Sequence, residues 1–271
     1  MKLKTLGSSK KIAGTILASA LVLGSLGTIS AFTASFGDAV PKNAVMTAPG
    51  IADVSNTIGT AQGMVEYSKN EYARTDGSQN VTMEYWYNPE TKDYRMDSRE
   101  YSADHKLLSY RSTYRLEGGA ELVYIQRDAN GNPLRGKIVK KTDDPEGFAR
   151  IKFPATEFEA RKEYYRDGSW TSIGTEQTAD GKTLNKIMQS YQSYIDDDTQ
   201  VNAQLIAFLD PETGLPVKDE LYEDSTGTPK LFSSSASAFA EIADTGSVFG
   251  TDGLTLTQVQ TVAAAAAAFE K

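Results

Sequence analysis

The chain contains no cysteine and a single histidine. The first absence excludes disulfides, thiolate metal sites, a cysteine nucleophile and a lipobox cysteine for covalent anchoring. The second excludes a histidine-based metal cluster and a Ser-His pair supported by a second histidine, and it leaves His105, in Ser-Ala-Asp-His-Lys, as an exposed turn residue. No G-x-S-x-G elbow, phosphate-binding loop or dinucleotide glycine fingerprint occurs. The one S-x-x-K match, Ser8 to Lys11, falls in the amino-terminal leader. The 36 acidic residues always allow some carboxylate pair to meet, so counting alone does not exclude glycosidic chemistry. The expectation is nonetheless a protein that is not an enzyme and uses no metal or other cofactor.

Charge is missing altogether from Ile12 to Gly37, behind a basic Met1–Lys11. Such a segment reads as a signal peptide or an amino-terminal membrane anchor, residues 1–37, with Thr28-Ile29-Ser30 and Thr33-Ala34-Ser35 as the acceptable cleavage triplets. Lysines before the apolar run and acids after it place the rest of the chain outside the cytoplasm, secreted or held at the membrane. The net charge of −8 becomes about −12 once Lys2, Lys4, Lys10 and Lys11 are set aside. A domain of that sign is repelled by nucleic acid and by anionic lipid surfaces, so no nucleic-acid partner is expected.

With 39% hydrophobic residues in 271, the chain can bury one good core. Residues 38–50 carry two prolines and no periodicity, as a linker does. Ile51, Val54, Ile58 and Ala61 recur at helical spacing, predicting a short amphipathic helix that ends near Gly63. From Met64 the period changes to two. Val81, Met83, Tyr85 and Tyr87 alternate with polar positions, and Asn88 to Asp93 forms the turn into Tyr94–Asp97. Leu108, Tyr110, Ser112, Tyr114 and Leu116 alternate in the same way, Gly118-Gly119 closes that strand, and Leu122–Ile125 answers it. One apolar, aromatic face and one ionic face are expected of this meander.

Asp128 to Pro133 has the look of a calcium loop, but Pro133 stands where that loop needs glycine and Val139 where it needs glutamate, so a polar hairpin turn is the reading. Gly147 to Phe153 alternates and predicts a strand ended by Pro154; Glu157 to Arg166 predicts a short exposed helix. Strands are predicted over 170–178 and 182–189, and Asp196-Asp197-Asp198 reads as a solvated acidic loop. Ala207 to Lys218 is a strand, a tight turn and a second strand, because Pro211 sets φ early in the turn and Gly214 tolerates positive φ. A further turn follows at Glu223 to Gly227, then Leu231-Phe232 and a Ser/Ala-rich strand. Ala263 to Ala268 favours helix but has little to bury, so residues 251–271 read as a tail.

One order of pieces stands out: Tyr85-Trp86-Tyr87-Asn88-Pro89 with Tyr94-Arg95-Met96-Asp97, then Trp170, Ser172 to Glu176, Gly181-Lys182 and Asn185 to Ile187, then Asp210-x-x-Thr213-Gly214-Leu215-Pro216 and the Tyr222 to Gly227 turn. Together they resemble the LolA/LolB/RseB-like lipoprotein-carrier superfamily, over roughly residues 60 to 250. The resemblance implies a mainly β (α+β) fold, a half-open antiparallel β-barrel with a helical lid over residues 51–250, preceded by an amino-terminal apolar helix. Glu157–Arg166 would belong to the lid, and Val248-Phe249 would match the family's closing strand.

It also implies noncatalytic binding of a lipid or lipoprotein acyl moiety in a hydrophobic cavity, with a lipid or lipidated protein as partner. Met83, Tyr85, Tyr87, Met96, Tyr110, Tyr114 and Tyr124 are the cavity candidates, chosen by alternation, and Trp86 and Arg95 could equally face it. Two alternatives stay open: a membrane-tethered sensor of the RseB kind that binds a membrane-bound protein, and a protein-interaction module like the LolA-like proteins of spore-forming bacteria. Ligand identity and oligomeric state are left open.

Overall fold

The computed structural model describes residues 63–151, 156–194, 200–224 and 227–267. The leader, the linker, the helix predicted from Ile51 and the Asp196–Asp198 run lie outside them. The described chain is mainly β: one open sheet of twelve strands, with few helices. The first six are β1 (Met64–Arg74), β2 (Asn80–Tyr87), β3 (Tyr94–Tyr101), β4 (Leu107–Leu116), β5 (Glu121–Arg127) and β6 (Pro133–Lys140). The rest are β7 (Thr171–Gln177), β8 (Thr183–Tyr194), β9 (Gln200–Leu209), β10 (Pro216–Asp224), β11 (Lys230–Ala243) and β12 (Leu256–Gln258). Their spatial order is 12-6-5-4-3-2-1-11-10-9-8-7. Two meanders, β1–β6 and β7–β11, are therefore joined side by side where β1 pairs with β11. Every pairing is antiparallel except β12 on β6.

The turns explain the meanders. After β9, Asp210 takes Gly214 N–H on its carbonyl at 2.8 Å and Glu212 N–H on its carboxylate at 2.9 Å, with Gly214 at φ +72°. Between β5 and β6 the Asp128 carboxylate accepts from the amides of Asn130 and Asn132, both at 2.8 Å. That turn is the polar hairpin expected of it. His105 sits exposed in the β3–β4 turn, its own amide donating to Ser102 at 2.9 Å.

Three short helices leave the sheet: α1 (Pro145–Arg150), α2 (Glu157–Arg166) and α3 (Val262–Ala266). Of the strand that alternation predicted over 147–153, the described residues 147–151 instead form most of helix α1 and its C-cap. Asp144 caps it, accepting Gly147 N–H at 2.9 Å, and Pro145 fills the first turn, where no amide partner is needed. Those start signals outweigh five residues of alternation. Val248-Phe249 is likewise no strand; it lies in an irregular run between β11 and β12. Nor are residues 251–267 a tail. Strand β12 adds to the β6 edge, and Ala265 is fully buried against Leu122, Tyr124, Val139 and Phe148. Its smallness is what lets α3 approach the sheet closely.

Register assigns every side chain to one of two faces. Tyr85 is opposite Met96, and Met96 is opposite Thr113, so Met83, Tyr85, Tyr87, Tyr94 and Met96 share a face with Thr113 and Arg115. Through β5, that same face carries Leu122 and Tyr124. The other face carries Trp86, Arg95, Asp97, Arg99, Tyr110, Ser112 and Tyr114.

Candidate functional site

Helix α2 lies across the first of these faces. Ten residues at about 1.5 Å each reach about 15 Å, the width of three to four strands. Beneath and beside it, Met83, Tyr85, Tyr87, Tyr94 and Met96 form one packed layer on β2 and β3, joined by Val81. Tyr85 and Tyr94 meet ring to ring at 6.2 Å, and Tyr85 Oη lies 3.2 Å from Met83 Sδ. Burial pushes the Tyr85 phenol up to about 12 and the Tyr94 phenol well above its ordinary value, so both stay neutral.

The helix is attached chiefly by polar groups. At its first turn the Glu66 carboxylate of β1 accepts the amides of Glu157 and Phe158, at 2.8 and 3.2 Å, where the helix end is positive. Burial raises the Glu66 carboxyl, and those two amides offset only part of the rise. In the middle, Arg161 pairs with Glu157 at 3.0 Å and lies 5.6 Å over the Tyr85 ring. At the last turn Tyr165 donates to Asp219 of β10, at 3.1 Å to the nearer oxygen, and Ser235 of β11 donates to the same carboxylate at 3.3 Å. Burial lifts the Asp219 carboxyl to about 6, against the lowering pull of Tyr165, Arg161 and Ser235. The apolar share is one edge-on contact between Phe158 and Phe239, and a ring cluster of Tyr164, Tyr165 and Trp170 at the exit. Only Glu157 and Tyr165 of the ten helix residues are buried.

Five of the seven predicted cavity residues, Met83, Tyr85, Tyr87, Met96 and Tyr124, therefore share the face that carries the helices. Tyr124 sits apart from the other four, in the cluster under α1 and α3. Tyr110 and Tyr114 point to the opposite side, as do Trp86 and Arg95, because Thr113 and not Tyr114 faces Met96. The expectation of one apolar and one ionic face changes accordingly. The second face is a layer of arginines interleaved with aromatics.

In that layer Arg95 grips Asp97 with two nitrogens, at 3.0 and 2.7 Å, donates to the Val248 carbonyl at 3.1 Å, and lies over the Trp86 and Tyr114 rings. Arg99 pairs with Glu84 and donates to Tyr110 Oη at 2.9 Å; Tyr110 donates to Asp97 at 2.9 Å. Arg127 donates to Ser112 and Tyr114 at 2.6 and 2.8 Å. Burial by itself would raise the Asp97 carboxyl, but Arg95, Ser112 and Tyr110 outweigh it and hold it below the ordinary carboxylate range. Leu254 and Leu256 cover the far end, packing on Tyr114, Val123 and Ile125. Every charge in this layer is engaged by a neighbour, which makes it a cross-braced structural face.

Glu66, Arg161, Tyr165 and Asp219 were not singled out from the sequence. Glu157, Arg161 and Tyr165 do recur every four residues, the spacing of one helix face, so the stripe was readable there. Their partners on β1 and β10 were not.

No family model matches this chain, and no curated protein matches it. Two similar solved structures are PNGF-II in a C2 space group, at 8% identity, covering 73% of this chain with a TM-score of 0.29, and a β-barrel-like protein of a domain of unknown function from Brucella abortus, at 10% identity, covering 68% with a TM-score of 0.23. The chain spans 31% of the length of the first and matches along 100% of the second. At these scores neither likeness bears on the site. Among the described residues no helix is long and apolar enough to cross a membrane, and no group of three or more acidic, histidine or cysteine side chains could hold a metal.

Proposed function

We propose that this chain is a noncatalytic binding protein of the cell envelope, and that the Met and Tyr face beside α2 receives the acyl chain of a lipid or lipoprotein. The observation that carries this reading is the mismatch between floor and cover. The floor is two methionines and three tyrosines. The cover is a helix fastened largely by carboxylates, a guanidinium and phenols, and burial disfavours the charged forms of the Glu66 and Asp219 carboxyls that hold it. Such a helix can shift without exposing much apolar surface of its own, while the surface it uncovers gains about 0.8 kcal/mol for each CH₂ group it shields. Methionine suits an acyl site because its unbranched, polarizable side chain adapts to different chain shapes. An open antiparallel sheet with a helix across one face supports reading it as the half-open barrel with a helical lid that the resemblance to LolA/RseB-like carriers implies. The basic leader followed by an uncharged run supports placing it outside the cytoplasm.

Docking of a protein partner by strand addition would need an edge. Strand β7 is the exposed one, but its ladder is broken between Ser172 and Gly174 by a bulge, a device that blunts edges. That favours the lipid reading over the sensor and interaction-module readings.

Because the chain has no cysteine, a Phe158→Cys/Phe239→Cys pair bridged by a short bis-maleimide would tether α2 to β11 cleanly. The full chain should bind a fluorescent polyene fatty acid, the untethered pair should bind it alike, and the bridged protein should lose binding. Absence of saturable probe binding by the parent, or equal binding by bridged and unbridged protein, would overturn the proposal.

A further inference from the structure

A second concavity lies on the other face, in the second meander. Two rows of side chains cross three adjacent strands there: Ser190, Gln204 and Tyr222 in one, Gln192, Asn202 and Asp224 in the next. They line a groove of about 500 Å³ that opens to solvent, and among the described residues no lysine or arginine lines it. Gln192 donates to Asn202 within the groove, and Tyr222 donates to Glu220 at 2.9 Å along its own strand. Burial, then Glu220, push the Tyr222 phenol up to about 12. The nearest lysines on this face, Lys186 and Lys218, lie instead over the Phe208 ring toward the hairpin end, paired with Glu176 and Glu220.

We infer that this groove is a binding site for a neutral saccharide chain. Three amides offer paired donors and acceptors in fixed planes, the pattern that matches hydroxyl groups, each of which both donates and accepts. Strands repeat about every 4.8 Å across the rows, close to the length of one sugar unit, so successive units can meet successive strands. The Tyr222 ring offers a flat apolar surface for the C–H side of a sugar. Phosphates, carboxylated ligands and nucleic acid are disfavoured by a lining that, among the described residues, holds a carboxylate and no cation. An acyl chain would strand the amides without partners. Among the described lining residues a lone carboxylate is too few ligands for a divalent cation. This site is independent of the acyl-binding face, which lies on the opposite side of the sheet.

The test is titration of the full chain with neutral trisaccharides, cellotriose, maltotriose and tri-N-acetylchitotriose, followed by amide chemical shifts and calorimetry. A trigalacturonate serves as the charged control. At least one neutral trisaccharide should saturate in the millimolar range or tighter, moving the amides of β8–β10, and the uronate should not. Asn202→Ala and Gln204→Ala should each weaken binding about tenfold with unchanged thermal unfolding, since both side chains sit at the surface. Tyr222→Phe should keep most of the affinity and Tyr222→Ala should lose it. No saturable binding of any neutral trisaccharide, equal binding of the uronate, or unaltered affinity in the two amide variants would overturn the inference. The acyl-probe result is unaffected by any of these outcomes.

Discussion

Strands β2 to β5 are covered on both faces, whereas β8 to β10 are covered on one. In the first meander the helix-bearing side buries Met83, Tyr85, Tyr87, Tyr94 and Met96, and the other side buries Asp97, Ser112 and Tyr114 under an arginine layer and the run that leads to β12. In the second meander Ala203, Leu205 and Leu221 pack with Trp170, Tyr191 and Phe232 on the helix-bearing side. The opposite side presents Ser190, Gln192 and Asn202 to solvent. Both halves are antiparallel sheet of similar strand length. What differs is whether polar residues on the second face are cross-braced to one another or left open to water. Bracing turns that face into structure; openness leaves it available to a ligand.

The comparison can be broken most severely at Asp97. Replacing it with alanine leaves Arg95 largely buried without its carboxylate and should cost about 3 kcal/mol in urea unfolding, while the double change Arg95→Met/Asp97→Leu should cost clearly less, because no uncompensated charge remains. A smaller loss is expected from Gly136→Ala. The new Cβ would lie 2.5 Å from a Leu256 methyl, so the Leu256 side chain must turn away, at about 1 kcal/mol.

The two faces should also respond oppositely to acid. The Asp219 carboxyl titrates near 6 in the fold against 3.8 ordinarily, so the folded state binds its proton more readily than the unfolded chain does. Its contribution to stability therefore grows as pH falls from about 6 toward 4 and is lost as pH rises through 6. Glu66, also raised, acts in the same sense on the other end of α2. Asp97, held below its ordinary value, contributes stability that is lost only when pH falls below about 3.8. Protection of the α2 amides, taken relative to the intrinsic exchange rate at each pH, should thus be greater at pH 5 than at pH 7, and Asp219→Asn should shrink that difference. Equal protection at the two pH values would sink the assignment. The smallest effect belongs to the open face: Gln192→Ala should alter stability by less than about 0.5 kcal/mol, as measured by thermal unfolding.

How far the sequence reaches can be judged element by element. The hairpin around Asp210–Gly214 and the β2–β3 and β4–β5 meander were legible, because turn chemistry and period-two alternation are properties of neighbouring residues. Helix α2 was legible as well, for lack of glycine or proline and for its run of helix formers. Helix α1 was misread because alternation over 147–153 spoke louder than Asp144-Pro145, which are strong start signals but only two residues long. The alanine run looked unable to bury anything. In fact its small size is what fits Ala265 into a gap that a larger side chain would overfill.

By itself, then, the sequence determined that this is a β-rich chain of antiparallel hairpins, with no cysteine and one histidine, and with alternating aromatic strands. Only the tertiary structure decided which alternating residues stand together. The side to which Tyr114 points depends on its pairing with Arg95 across two strands, and the anchor for Tyr165 is an aspartate 54 residues away. Register and docking are relations between distant segments, and a pattern confined to one strand holds no information about the phase of the next.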